Sequence, residues 1–448
     1  MKRYITSVLT AIVAMALSAA FACTPDSDAQ PEPQPEPVKP KAERFEVFQM
    51  LHPTEGDIPY RIPAIAVTKD GTLVAVADYR HSGTDIGVTD KGRIDLHYRI
   101  SEDNGNTWTE VMPLIEGQGA ESPDFMNVGY GDPCIVADRG SNRVLLLSCA
   151  GNVSFQNGTR QNHQNIARFY SEDGGVTWSK PVDIAESIYS QFDSSKYGPV
   201  RSMFVASGRI FQSRTVKVGD YYRLYCAVLV RDKYAKHMNY VLYSDDFGAN
   251  WTILGDIDTP AVYNTADEPK VEELPDGSLL ISSRYSGGRY YNIFTFDDAE
   301  AAQGSWSKAQ FSGATNNGVV AKDNSTNGEV MLVPVTRIAD KTPMHLLLQS
   351  VPLGPDRKNV GIYYKELADW EDYVNPTCIA SDWDGVKQVT TLNSAYSTMA
   401  WQRDNRLGFL YEEETHGKSN YAYGGYTMVY ECFDIEDLTE GMYKYRNK

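Results

Sequence analysis

An eight-residue pattern that recurs three times constrains the fold of this chain more than any other feature. The pattern S-x-D-x-G-x-x-W occurs at Ser101–Trp108, Ser171–Trp178 and Ser244–Trp251, with starts 70 and 73 residues apart. In each copy the Asp can cap backbone N–H groups of its own turn, the Gly can take a positive φ angle, and the Trp can pack between neighbouring sheets. Such a period is typical of one supersecondary unit repeated along a chain, so we expect each copy to close a β-hairpin.

Short apolar runs separated by Gly, Asp and Asn turns fill the chain from Phe45 to Lys448. Five examples are 72–77, 143–149, 222–230, 278–283 and 406–411. These runs read as strands, whereas helical periodicity is limited to one expected turn at Ala299–Gln303. Dividing this region by a repeat of about 71 residues gives between five and six units. We therefore predict an all-β fold, a six-bladed β-propeller of four-stranded blades, because ring closure removes exposed sheet edges.

Two faded copies of the pattern support the blade count. They lie at Phe296–Trp306 and Tyr364–Trp370. We expect all copies to be structural rather than chemical, since function lies in sites placed on a fold.

The first 22 residues have the layout of a bacterial export signal. Lys2 and Arg3 precede an apolar run that ends at Ala20, and a basic start, an apolar middle and small residues are typical of a cleaved signal peptide. Cys23 follows the expected cut, so we expect it to carry a lipid, although Ala20 stands where Leu is commoner. An uncleaved anchor is the alternative, for which the run is short.

Residues 23–44 predict a tether. Their alternating Pro and Glu cannot form a core and favour an extended polyproline spacer. We therefore divide the chain into a signal peptide at 1–22, a lipidated Cys with a Pro/Glu-rich tether at 23–44, and a propeller domain at 45–448. The expected location is outside the cytoplasm, as an outer-membrane-anchored lipoprotein that faces the periplasm or the cell surface.

The net charge restricts the classes of ligand. The chain has 42 Lys and Arg against 59 Asp and Glu, a net charge of −17. This charge argues against nucleic acid as a ligand and requires a local Arg or Lys cluster for any anionic substrate.

The cysteine content restricts disulfides and metal sites. Five cysteines remain after Cys23, an odd number that excludes a complete disulfide framework. We expect Cys134 and Cys149 to be buried thiols, and no Cys and His spacing fits zinc.

The segment 60–63, Tyr-Arg-Ile-Pro, stands well before the first copy of the repeat. An Arg-Ile-Pro motif followed by several such repeats, known as Asp-boxes, resembles the sialidases of glycoside hydrolase family 33. The resemblance covers nearly all of the chain from Phe45 onward. It implies an exo-α-sialidase that removes terminal sialic acids and requires no metal or cofactor.

The resemblance implies three arginines that bind the carboxylate of sialic acid. Arg61 takes the position in the Arg-Ile-Pro motif, and Arg284 ends a strand that follows a Glu-containing segment. Arg357 follows a later strand, ahead of the faded copy at Tyr364–Trp370. Guanidinium groups bind carboxylates through two parallel hydrogen bonds and keep their charge, so they can form a local positive site on an acidic protein.

The resemblance also implies a tyrosine nucleophile, since a carboxylate would be repelled by the carboxylate on the anomeric carbon of sialic acid. Tyr396, in Asn-Ser-Ala-Tyr-Ser-Thr-Met, resembles the Tyr-Ser segment of the family. Tyr285 and Tyr189 also precede a Ser and stand as alternatives.

A phenol needs a base to become a nucleophile. Glu268, 16 residues before Arg284, matches the Glu of the family. Glu272 and Glu273 are the alternatives, and strand alternation would leave one of those two in solvent.

The acid/base of the family is an Asp on a mobile loop after the Arg-Ile-Pro strand. Asp85, preceded by Gly-Thr, fits this position, and Gly83 and Gly87 would let the loop move. Asp78, at the end of the strand, is the alternative, or else a partner that orients Arg80.

A further carboxylate is implied beside the first arginine. Glu412 belongs to a Leu-Tyr-Glu triplet 16 residues after Tyr396, and its implied role is an ion pair that fixes the guanidinium of Arg61. We expect Glu413 and Glu414 to lie in solvent. The polar stretches 116–131 and 151–163 belong to no motif, and we expect them to rim the pocket.

These features predict a retaining exo-α-sialidase that acts through a tyrosyl–sugar intermediate. The alternatives are a propeller that binds sialylated glycans or protein without catalysis, and a trans-sialidase that uses the same residues. An enzyme is favoured over a binding propeller by the presence of Asp85, Glu268 and Tyr396 beside the arginines. A binding module needs no activated Tyr. The expected partner is a sialylated glycan or glycoprotein, the membrane is reached only through the lipid anchor, and we expect a monomer.

Overall fold

The computed structural model describes residues 44–89, 92–322 and 326–447. The expected signal peptide, Cys23 and the tether up to residue 43 lie outside the described residues. Within the described ranges, none of the helices combines the length and apolar character needed to cross a membrane.

The strands form six sheets, which confirms the predicted all-β six-bladed propeller. After β1 (Phe45–Phe48), blade 1 consists of β2 (Tyr60–Val67), β3 (Leu73–Arg80), β4 (Ile94–Ser101) and β5 (Met112–Ile115). Blade 2 consists of β6 (Tyr130–Ala137), β7 (Val144–Ala150), β8 (Asn165–Ser171) and β9 (Val182–Asp183). Blade 3 begins with β10 (Ser202–Val205). The chain then forms β11 (Gly208–Arg209), which pairs in parallel with β6 of blade 2. Blade 3 continues with β12 (Phe211–Val218), β13 (Tyr221–Arg231), β14 (His237–Ser244), β15 (Thr252–Ile253) and β16 (Val262–Tyr263).

The remaining blades close the ring. Blade 4 consists of β17 (Pro269–Glu273), β18 (Leu279–Tyr285), β19 (Gly288–Asp298), β20 (Gln303–Trp306) and β21 (Gln310–Gly313). Blade 5 consists of β22 (Glu329–Arg337), β23 (Pro343–Gly354), β24 (Lys358–Leu367) and β25 (Gly385–Gln388), and blade 6 of β26 (Ser394–Trp401), β27 (Leu407–Glu413) and β28 (Thr427–Phe433). β1 pairs with β28 and so completes the last blade, while β29 (Tyr443–Tyr445) pairs with β22.

Helices are short and lie between strands. They are α1 (Ala185–Tyr189), α2 (Pro376–Ala380) and α3 (Ile435–Leu438), with 3₁₀ helices at Gly119–Glu121, Phe125–Val128, Ser190–Phe192, Ala314–Asn316 and Trp370–Asp372. The helical turn expected at Ala299–Gln303 is wrong, since this segment turns between β19 and β20 of one hairpin.

The Asp-boxes are turns of the predicted kind. In the first box Ser101 Oγ accepts from Gly105 N at 2.8 Å and Asp103 Oδ1 accepts from Thr107 N at 2.8 Å. Gly105 has φ +89°, and Trp108 Nε1 donates to its carbonyl at 3.1 Å. The other two boxes repeat the serine and aspartate bonds.

The box tryptophans join blades. Trp108 of blade 1 packs on Tyr430 of blade 6, with ring centroids 5.4 Å apart, and Trp178 of blade 2 packs on Tyr98 of blade 1 at 6.2 Å. Trp370 of the faded copy is 55% exposed, so this copy has lost the packing that we expected of it.

The five described cysteines are free thiols. Cys134 and Cys149 are fully buried on β6 and β7, as predicted, within an apolar cluster that joins blades 2 and 3. Their role is core packing.

Candidate active site

One pocket contains all six side chains predicted to bind substrate or take part in the chemistry. They are Arg61, Asp85, Glu268, Arg284, Arg357 and Tyr396. The cavity measures about 260 Å³ and lies where the first strands of several blades begin. All six blades, taken with the turns between their strands, supply at least one lining residue, so the pocket depends on ring closure.

Arg61 is aimed into the pocket by a bulge in β2. The pairing of β2 with β3 shifts register between Arg61 and Ala64, and Ile62 has φ +58°, which a β-branched residue rarely adopts. The bulge frees Ile62 N to donate to Glu412 Oε1 at 2.7 Å. Pro63 has no N–H to lose, so the Arg-Ile-Pro sequence suits this distortion.

Glu412 is a fully buried carboxylate with three donors. Arg61 Nε donates to its Oε1 at 2.8 Å, which is the expected ion pair, and Tyr396 N donates to its Oε2 at 3.0 Å. The third donor is Ile62 N. Glu412 accepts hydrogen bonds from both β2 and β26. It therefore fixes the positions of Arg61 and Tyr396 relative to each other.

Tyr396 is in contact with its expected base. Its hydroxyl donates to Glu268 Oε1 at 2.7 Å, and Arg284 Nη1 donates to Tyr396 Oη at 3.2 Å and to Glu268 Oε2 at 2.8 Å. Burial, and then the charge of Glu268, raise the pKa of Tyr396, while Arg284 and Arg357 act in the opposite direction. The phenol is therefore neutral in the free protein and has a carboxylate poised to take its proton.

Arg357 reaches the pocket from a turn between β23 and β24. Asp356 and Arg357 have φ angles of +58° and +59°. Two consecutive positive φ angles match the tight hairpin turns that normally use Asn and Gly, and each left-handed non-glycine residue costs roughly 1–2 kcal/mol. The guanidinium carbon of Arg357 lies 5.5 Å from the ring centroid of Tyr396, and that of Arg61 lies 5.6 Å from it.

Asp85 lies on the loop after β3, where its carboxylate forms an ion pair with Arg80 Nη1. Its side chain is 53% exposed. Burial opposes ionisation, but the charges of Arg80, Arg61 and Arg357 outweigh it and lower the pKa of Asp85. Gly87 has φ +66°, and a Cβ there would lie 2.3 Å from Ser154 N, so the loop seats closely against the next blade.

Asp78, the alternative acid, lies beneath the pocket. It is fully buried, and its Oδ2 accepts from Arg80 Nε at 3.0 Å and Nη2 at 2.7 Å. Its Oδ1 accepts from Asp132 N at 3.0 Å. This geometry makes Asp78 a partner that orients Arg80.

Arg80 and Asp132 were missed as site residues. Asp132 lines the pocket and has φ +54° in a bulge of β6 that precedes Pro133, so it repeats the distortion around Ile62. The signal was present as a second apolar strand with an x-Pro step at the same position in the next blade. Burial, and then Asp78, raise the pKa of Asp132 well above its ordinary value.

Two expectations about solvent exposure are wrong. Glu272 and Glu273 are both buried: Arg209 of β11 forms an ion pair with Glu272, and Arg214 of β12 lies within ion-pair distance of both carboxylates. Glu413 is also buried, through an ion pair with Arg44.

The two alternative Tyr-Ser tyrosines lie elsewhere. Tyr189 is buried in α1, where its hydroxyl accepts from Met203 N at 2.7 Å. Tyr285 is 39% exposed on the rim, where it packs on Tyr290 with centroids 5.0 Å apart. Of the polar stretches expected at the rim, residues 154–156 line the pocket, whereas 123–126 line a neighbouring cavity.

The fold and the pocket define a class, an Asp-box propeller with a buried cluster of arginines around a tyrosine and a glutamate. A family model described as a BNR repeat-like domain matches residues 62–350. The chain belongs to this family.

Proteins similar to this chain include sialidases. The sialidase of Clostridium perfringens is 24% identical over 405 residues, which cover 84% of this chain and 90% of that protein. The sialidase of Paraclostridium sordellii is 25% identical over 370 residues, covering 79% and 81%. Among solved structures, the intramolecular trans-sialidase of Ruminococcus gnavus has a TM-score of 0.64 at 19% identity and covers 88% of this chain and 98% of that chain. At this identity the structural likeness concerns the fold.

We expect the stability of the protein to fall as the pH rises from about 4 to 7, on account of Asp78 and Asp132. Burial raises the pKa of Asp78, the charge of Arg80 lowers it, and the charge of Asp85 raises it, with a net value of about 7. An Asp in the unfolded chain titrates near 4. Between these values the folded state binds more protons than the unfolded state, so ionisation favours unfolding. Asp132→Asn removes a like charge and should reduce the loss of unfolding free energy between pH 5 and pH 7 by about 1 kcal/mol.

Urea unfolding at the two pH values measures this change. Asp70→Asn, at an exposed turn, is the control and should keep the pH dependence of the parent protein. An unchanged pH dependence in Asp132→Asn would show that the ionisation of Asp78 and that of Asp132 do not influence each other.

Proposed function

We propose that the protein is a retaining exo-α-sialidase that hydrolyses terminal sialic acids through a tyrosyl–sugar intermediate. One observation carries the proposal. The hydroxyl of Tyr396 donates to Glu268 Oε1 at 2.7 Å inside a pocket lined by three arginines. A buried phenol with a carboxylate base has no use in a module that only grips an anion, so this pair favours catalysis over binding alone.

The arginines would hold the carboxylate of the sugar. The guanidinium carbons of Arg61 and Arg357 lie 5.6 and 5.5 Å from the ring of Tyr396, and Arg284 donates to its hydroxyl. A carboxylate bound among the three would place the anomeric carbon, to which it is attached, close to Tyr396 Oη. Fixed positive charges in a confined pocket also stabilise charge in the transition state without reorganising.

The covalent step would proceed with Glu268 as base. Tyr396 Oη attacks the anomeric carbon and passes its proton to Glu268, while the bond from that carbon to the glycosidic oxygen breaks and the oxygen takes a proton from Asp85. In the second step water replaces Tyr396 at the anomeric carbon, Asp85 takes a proton from the water, and Glu268 returns its proton to Tyr396. Two displacements at one carbon give retention.

Asp85 must be protonated for the first step, yet its pKa is lowered in the free protein. Two of the charges that lower it belong to Arg61 and Arg357. A substrate carboxylate bound to these arginines would offset their charge and raise the pKa of Asp85, so the enzyme would take up a proton as substrate binds.

Tyr396→Phe is expected to lower kcat for an aryl sialoside by about 10³-fold or more, because it removes the nucleophile from a largely intact pocket. Proton NMR of sialyllactose turnover by the parent protein is expected to show the α-anomer of sialic acid first. Tyr285→Phe is the matched control, since it alters the Tyr of another Tyr-Ser pair, one that is exposed and does not line the pocket, and should retain activity. Turnover by Tyr396→Phe close to that of the parent would refute the assignment, and an anhydro or transferred product would show that a group other than water attacks the intermediate.

Asp85→Ala is expected to slow sialyllactose cleavage by about 10²-fold and aryl sialoside cleavage by less than about tenfold, because a good leaving group departs without a proton. Comparing kcat/KM for the two substrates measures the difference. Thr84→Ala, in the same loop, is the control. Equal losses on both substrates would mean that Asp85 only shapes the loop.

We further propose that the protein is exported and anchored by a lipid on Cys23. The support is the basic start, apolar run and small residues of 1–22 and the Pro/Glu-rich stretch that follows. The first strand of the propeller, β1, begins at Phe45, directly after that stretch.

Cys23→Ser is expected to abolish incorporation of radiolabelled palmitate and to move the protein from the membrane fraction to the soluble periplasmic or culture fraction. Labelling of the full-length chain expressed in a bacterium, followed by fractionation, measures both. Cys378→Ser is the control, because Cys378 lies in the propeller domain and is partly exposed. Label retained in Cys23→Ser would contradict the anchor.

A further inference from the structure

A second cavity adjoins the catalytic pocket across the segment 151–165, which we call the partition. Residues 154–156 and 164 of the partition line the catalytic pocket, while residues 152, 153 and 161–163 line the second cavity, which we call the side pocket. The side pocket measures about 560 Å³. One short segment therefore lines both cavities.

The side pocket presents an aromatic ring to solvent. Phe125 is 68% exposed, more than any other large apolar side chain in the described ranges. It begins the 3₁₀ helix Phe125–Val128, whose N-terminus is fixed because Asp124 Oδ1 accepts from Met126 N at 3.0 Å. An exposed aromatic on an ordered turn offers a flat apolar surface for the C–H face of a sugar ring.

Three amides surround this ring with unused hydrogen-bonding groups. The side chains of Asn152, Gln161 and Asn162 line the side pocket and make no hydrogen bond to any residue that the structure describes. An amide offers two donors and an acceptor, which matches sugar hydroxyls that both donate and accept.

The charge of the side pocket distinguishes it from the catalytic pocket. Asp124 and Asp183 line it, and Lys and Arg are absent from its described lining, whereas three arginines line the catalytic pocket. An anionic ligand would meet repulsion here, while a neutral sugar would not. The side pocket is therefore suited to the uncharged part of a glycan.

The partition is held in place by contacts with residues 186–193, which include part of α1. Arg160 makes bidentate hydrogen bonds to Glu186 and to Asp193 at 2.7–2.9 Å, and His163 stacks on Tyr189 with centroids 4.1 Å apart. A partition that is already ordered loses little conformational freedom when a ligand binds.

We propose that the side pocket is a subsite for a neutral hexose or N-acetylhexosamine unit of the same glycan whose terminal sialic acid occupies the catalytic pocket. The inference rests on the proposed sialidase function for its placement of the acidic end. Phe125 stacks on the sugar ring, and the free amides of the partition bind its hydroxyls. The subsite would make long neutral-core sialosides better substrates than aryl sialosides.

Phe125→Ala is expected to raise KM about fivefold for a sialylated pentasaccharide with little change in kcat, because stacking is lost equally from the ground and transition states. Asn162→Ala should act in the same direction. Both variants should cleave methylumbelliferyl sialoside within about twofold of the parent, since that substrate carries no further sugar. Trp370→Ala, at another exposed aromatic, on blade 5, is the control and should change neither substrate.

Saturation-transfer NMR with a neutral tetrasaccharide tests binding without catalysis. Signals are expected with the parent protein and with Trp370→Ala, and should be lost with Phe125→Ala. Equal effects of Phe125→Ala on both sialosides, or tetrasaccharide signals that are missing in the parent or unaffected in Phe125→Ala, would overturn the subsite. Failure of the parent to cleave methylumbelliferyl sialoside would instead count against the proposed function, while the NMR result would still decide whether the side pocket binds sugar.

Discussion

The carboxylate of Glu412 is the interaction on which the rest of the site depends. It is fully buried and accepts from Arg61 Nε, Ile62 N and Tyr396 N. Burying a carboxylate with fewer hydrogen-bond donors would cost folding free energy, so the fold is stable only when all three donors lie around Glu412. Because two of them belong to the first blade and one to the last, the same contact that satisfies Glu412 also fixes where the ring closes. Arg61 and Tyr396 are thereby directed to one point, where the guanidinium carbon of Arg61 lies 5.6 Å from the ring centroid of Tyr396.

Backbone distortion at the beginning of the central strands builds the remainder of the pocket. Ile62 and Asp132 have positive φ angles inside bulges of β2 and β6, and β26 shifts register around Tyr396. Regular strands would direct these side chains into the sheets, where blades pack. A bulge turns a side chain toward the axis and frees one backbone N–H for a carboxylate. The strain is retained where the packing of six blades over-determines the backbone, as is typical of functional sites.

Motif spacing was enough to predict the propeller and to choose the residues that meet at its centre, because both depend on local patterns that repeat or that match a family. Burial of charge depends on the partner, which local patterns do not show. Glu272 and Glu413 look like solvated carboxylates until the fold brings Arg214 of blade 3 beside Glu272, and Arg44, at the opposite end of the domain sequence, beside Glu413. Asp132 likewise looks like a turn residue before Pro133, and its place in the site follows only once β6 is known to stand next to β2 in the ring.

The electrostatics of the two cavities would set the direction in which the proposed glycan substrate lies. The protein carries a net charge of −17, so an acidic sugar is repelled by most of the surface and is stabilised only where Arg61, Arg284 and Arg357 meet. Glu412 forms an ion pair with Arg61 and Glu268 forms one with Arg284, and these pairs offset the cost of burying the two guanidinium groups. The described lining of the side pocket has Asp124 and Asp183 but no Lys or Arg, so the side pocket would disfavour the acidic end by repulsion. In the reversed orientation the proposed glycan would place its acidic end in the side pocket. That end would then lose its attraction to the arginines of the catalytic pocket and would be repelled by the carboxylates of the side pocket.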